Sequence, residues 1–68
     1  MKQLQEPSVV YINTTKRMME KGFKQISEIQ PKSFIIERLE YWIDKFLNTY
    51  ILELSKNGSV TIYKETKI

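Results

Sequence analysis

The stretch from Pro31 to Leu47, PKSFIIERLEYWIDKFL, holds the apolar side chains that any fold of this chain must cover. At about 100° per residue, Ile35, Ile36, Leu39, Trp42, Ile43 and Phe46 fall on one stripe, with Leu47 at its edge and Tyr50 continuing the line. This is the i, i+3, i+4, i+7 spacing of a helix pressed against a core. Pro31 suits a first helical position, where a missing N–H costs nothing and φ is already set. Asn48 suits a left-handed stop. The spacing predicts one long helix over residues 31–47.

Sixty-eight residues make a single domain, 1–68. A domain of that size buries only about 60% of its unfolded surface, so its stability is marginal. With no cysteine there is neither a disulfide nor a thiolate metal site, and with no histidine the commonest metal ligand and general base is missing. No metal, cofactor or small-molecule ligand is expected. Glu37, Glu40 and Asp44 share a helix face in this reading but have no cleft around them, so the chain is not expected to be an enzyme. No apolar run reaches the roughly 18 residues of a membrane span, and MKQLQEPS carries no apolar leader, which together point to a cytoplasmic protein. The staple of so small a domain is well-packed apolar residues or a partner chain.

Along the chain, Met1–Pro7 reads as a mobile lead-in. Ser8–Thr15, SVVYINTT, is open between two states. Its β-branched and aromatic residues favour a strand, whereas a helix starting at Ser8 places Val9, Ile12 and Met19 near one face and gives the long helix a neighbour. Gly22 fits the position just past a helix end, with Lys21 near the negative pole of the helix dipole. FKQISEI repeats helical spacing through Phe23, Ile26 and Ile29, and Gln30-Pro31 interrupts it. In the C-terminal part, Tyr50–Leu54 and Ser59–Lys64 flank Lys56-Asn57-Gly58, a hairpin signal. A three-residue loop with Gly58 left-handed sets Leu54 against Val60 and Leu52 against Ile62 on one face, whereas a two-residue loop mixes the faces.

Helical region, short helix, turn, long helix and Asn-Gly hairpin together resemble a winged helix-turn-helix domain over about residues 9–64. LNTYILEL stands where the recognition helix enters the first wing strand, and SKNGSVTIYK where the wing returns. The resemblance implies an α+β fold, small and winged-helix-like, with two or three helices and a C-terminal β-hairpin over residues 50–64. It also implies a non-enzymatic DNA-binding protein, a transcriptional regulator or accessory factor whose partner is duplex DNA, bound as a dimer or beside another protein. On that plan Lys32 and Ser33 serve phosphates or base edges, Arg38 serves guanine, and Tyr41 and Lys45 continue the outward line. Lys56, Asn57 and Lys64 offer the wing to the backbone.

The blander reading makes Phe34 and Tyr41 packing residues and leaves Arg38 and Lys45 in solvent. The acidic line Glu37, Glu40 and Asp44 would repel phosphates, and Lys16, Arg17, Lys21 and Lys24 are the cations available to answer it. A protein-interaction module is the alternative, binding a partner protein or itself through Phe34 and Tyr41, with Tyr63 as a further anchor. A ribbon-helix-helix dimer, with a Val9–Ile12 strand aiming Tyr11 and Asn13 at the groove, ranks third.

Overall fold

The computed structural model describes residues 8–65; the lead-in expected over 1–7 lies outside them. One helix, α1 (Val9–Glu20), precedes four strands: β1 (Lys24–Ile29), β2 (Ile36–Ile43), β3 (Thr49–Ser55) and β4 (Val60–Lys64). They form one antiparallel sheet in the order β1-β2-β3-β4. This overturns the winged-helix-like fold class of two or three helices with a hairpin. The described residues hold one helix, and the segments expected to be the second and third are β1 and β2.

Ser8–Thr15 resolves as helix because both of its ends are chemically marked. Ser8 caps the start, its hydroxyl accepting the Tyr11 N–H at 2.9 Å. The far end closes with the Phe23 N–H on the Met18 carbonyl at 2.9 Å and the Gly22 N–H on the Met19 carbonyl at 3.1 Å. Gly22 takes φ +96, as this left-handed closure requires. Phe23, thrown back by that closure, packs against the core beside Met18.

Residues 31–47 fail as a helix because their pattern satisfies two periods at once. Leu39, Tyr41 and Ile43 line one face of β2, and Arg38, Glu40 and Trp42 the other, so apolar residues lie on both sides of the strand. Such a segment also draws a stripe on a helical wheel, and only the β-branched and aromatic content favours the strand. β1 repeats the confusion: Ile26 and Ile29 stand at helical spacing, but in the sheet Ile26 is the unpaired residue of a bulge between Gln25 and Ser27.

The turns carry their own bonds. Asp44 closes the β2–β3 turn, its carboxylate accepting the N–H groups of Phe46 and Asn48, each at 2.9 Å, the Asn48 side-chain amide and the Tyr50 hydroxyl. Leu47, not Asn48, takes the left-handed position, at φ 70. In the β3–β4 hairpin Leu54 opposes Val60 and Leu52 opposes Ile62, with Gly58 at φ +95. Asn57 steadies that tip by accepting from the N–H and hydroxyl of Ser59.

The helix lies on the face of the sheet that carries Trp42, Leu52 and Leu54. With Met18 these are the buried hydrophobic residues of the described chain, a small core. The Cα envelope is only 17 Å through its thinnest direction, the depth of one helix on one sheet.

Candidate functional site

Residues directly opposite in an antiparallel pair share a face, so the register defines both sides of the sheet. Under the helix lie Glu40, Trp42, Tyr50, Leu52 and Val60. The other side consists of Ile29 and Leu39 in one row, Tyr41, Ile51 and Tyr63 in the next, and Ile43 beyond. No helix and no second sheet lies over that side among the described residues. Its polar members are Lys24 and Thr49 beside Ile43, Ser27 beside Tyr41, and Glu53 and Thr61 beside Leu39, with one charge of each sign. Tyr63 donates to the Glu53 carboxylate at 3.3 Å across the same face. The centre is therefore apolar and aromatic, bordered by three hydroxyl residues and one charge of each sign.

Beneath the helix sits a buried polar cluster. Glu40 is fully buried, at 0% exposure. Its carboxylate accepts from the Tyr11 hydroxyl, from Arg38 Nε and, at 2.7 Å, from Trp42 Nε1. Arg38 also reaches Glu28 at 3.1 Å and lies 6.0 Å from the centre of the Tyr11 ring. Glu28 and Glu40 face each other across β1 and β2, so the guanidinium between them removes a like-charge repulsion. Burial, then the bond to Glu40 and its charge, push the Tyr11 hydroxyl up to about 12, with Arg38 opposing. Satisfied on every side, this cluster ties α1 to β2.

The residues expected on a DNA-facing surface are dispersed over the fold. Lys32 and Ser33 lie in the β1–β2 loop, and Lys56 and Asn57 in the β3–β4 tip beside it, joined by the Lys56 N–H on the Ile35 carbonyl at 2.8 Å. Lys45 belongs to the β2–β3 turn at the opposite end of β2, and Lys64 to β4. Arg38 faces the helix and Tyr41 the uncovered side. The acidic line also separates: Glu40 is buried, while Asp44 is consumed by its turn. The ion pairs among the described residues both belong to Arg38, so Lys16, Arg17, Lys21 and Lys24 answer none of those carboxylates there. Phe34 is 93% exposed in the loop before β2.

Ile29, Leu39, Ile43 and Ile51 are half-buried on this uncovered side; the sequence pattern put Leu39 and Ile43 on a core stripe and singled out neither Ile29 nor Ile51 for a surface. The β-branched and aromatic content of IERLEYWI and TYILELS is the one sequence signal that bears on them, because apolar residues stand on both faces of β2. No family model, no curated protein and no solved structure matches the chain.

Proposed function

We propose that this chain is a non-enzymatic protein-interaction module that pairs with a second copy of itself through the uncovered side of its sheet. One observation carries the reading. Among the described residues four buried hydrophobic side chains make up the core, while the opposite side of the sheet, centred on the half-buried Tyr41 and Ile51 and the exposed Tyr63, has no covering layer. A sheet with both faces apolar needs two layers over it, and the described residues supply one. The balanced signs of Lys24 and Glu53 favour a like surface over a strongly charged partner, and a two-fold pairing brings one copy's face onto the same face of the other. The reading as a duplex-DNA binder loses its recognition element, because residues 31–47 hold β2. The self-binding alternative keeps Tyr41 and Tyr63 as anchors and moves Phe34 to a loop.

Sedimentation over a range of concentrations tests this. The parent chain should shift from monomer to dimer. Truncating a central aromatic anchor typically costs about 2 kcal/mol, so Tyr41→Ala should raise the dimer dissociation constant roughly 30-fold. Ile51→Lys should leave a folded monomer. A parent chain that stays monomeric at millimolar concentration refutes the proposal.

A further inference from the structure

The outer edge of β4 and the flank of α1 together form a second surface, separate from the uncovered face. The Ser55 N–H bonds to the Ser59 carbonyl and the Glu65 N–H to the Thr49 carbonyl, each at 2.9 Å. With Leu52 opposite Ile62, these bonds fix the phase of the ladder: odd-numbered residues exchange hydrogen bonds with β3. The N–H and C=O groups of Val60, Ile62 and Lys64 therefore point away from the sheet, and no strand lies beyond them among the described residues.

Alongside that edge runs a groove of about 520 Å³. Val10, Met18, Phe23 and Ile62 give it an apolar wall, and Arg17 and Lys21 stand on its helical side. Val10, Thr14, Arg17 and Lys21 recur at helical spacing, so one stripe of α1 is turned toward the edge strand. No carboxylate lines the groove. Neither Arg17 nor Lys21 takes part in an ion pair among the described residues. Lys64 shares the helix-side face with Ile62, two residues along β4.

We propose that this groove receives an extended acidic peptide segment of a partner protein, added to the sheet as a fifth strand beside β4. Main-chain bonds to Val60, Ile62 and Lys64 hold the segment in register. Its inward side chains alternate between an apolar residue seated against Met18, Phe23 and Ile62 and carboxylates that meet Arg17 and Lys21. Strand addition supplies affinity through the backbone, and the pockets for alternate side chains supply selectivity. Face-to-face pairing of two copies leaves this edge open, so the two proposals stand or fall separately.

The test uses the full chain and a displayed library of random decapeptides. Enriched sequences should carry apolar and acidic residues at successive inward positions, in the order apolar-x-Asp/Glu-x-apolar. Synthetic versions should slow hydrogen exchange at the Val60, Ile62 and Lys64 amides. Arg17→Glu with Lys21→Glu, both at exposed positions, should weaken binding at least tenfold while the circular dichroism spectrum is unchanged. Methylating alternate peptide nitrogens should abolish binding. Four results would each overturn the proposal: no enrichment, lysine-rich winners, peptides that perturb Tyr41 and Ile51 instead, or edge amides already protected by a second copy before peptide is added.

Discussion

Replacing Tyr11 by phenylalanine removes one oxygen and leaves the shape of the ring, which isolates the contribution of the buried cluster to holding the helix on the sheet. Glu40 keeps Arg38 Nε and Trp42 Nε1 as donors in the variant but loses the only one that comes from α1. A hydrogen bond to a charged group contributes about 1.5–3 kcal/mol. A chain of 68 residues has a total stability of about 3–10 kcal/mol, so the loss is a large fraction of the whole. For a domain of this size each kcal/mol shifts Tm by about 4–8 °C, which puts the variant about 10 °C below the parent. Thermal and urea unfolding at neutral pH, followed by circular dichroism, measures this, and the urea slope should stay constant. The alkaline limb gives an independent reading. The Tyr11 hydroxyl titrates at about 12 in the folded chain against an ordinary value of 10. Its contribution is then complete below pH 10 and disappears as pH rises through about 12. The phenylalanine variant lacks that loss. A Tyr11→Phe protein within about 0.5 kcal/mol of the parent, the range of an uninvolved surface change, would refute the argument that this cluster fastens the helix.

Three further outcomes follow from the turns. Leu47 holds φ 70 with 73% of its surface exposed, so Leu47→Gly should raise stability by about 0.5–1 kcal/mol in urea titration, relieving a conformation that L side chains resist. Gly58→Ala should lower it by about 1 kcal/mol, because φ +95 strains any side chain, while the new methyl group makes only an ordinary contact with Ser8 at 3.5 Å. Desolvation raises the Asp44 carboxyl, but hydrogen bonds from Asn48, Tyr50 and Phe46 outweigh it and hold the group down at about 2, against 3.8 ordinarily. Its contribution is present above pH 3.8 and fades as pH falls through about 2, so Asp44→Asn should flatten the acid limb of an unfolding curve over that interval.

Local chemistry in the sequence is easy to read here, and long-range pairing is not. Ser8, Gly22 and the Lys56-Asn57-Gly58 tip specify a helix start, a helix end and a hairpin register through bonds to near neighbours, and all of these features occur in the fold. β2 escapes because its pairing with Lys24–Ile29 and Thr49–Ser55 leaves no mark in its own residues, and little within residues 31–47 separates a doubly apolar strand from an amphipathic helix. Glu40 looks like a surface charge until a hydroxyl 29 residues away is brought against it. The surfaces proposed for binding suffer the same blindness. The face of Tyr41 and Ile51 exists only once three strands are in register, and the Arg17–Lys21 flank acquires meaning only from the edge it borders.

The bulge between Gln25 and Ser27 bears on how far assembly can spread. Fibril growth by edge pairing needs two straight, templating margins per molecule, one to receive and one to offer. On the β1 side the irregular ladder, together with the charge of Lys24, spoils the template, while the β4 side keeps a regular one. A molecule with a single competent margin accepts one addition and then stops. The irregularity in β1 is therefore a feature that disfavours open edge-to-edge growth.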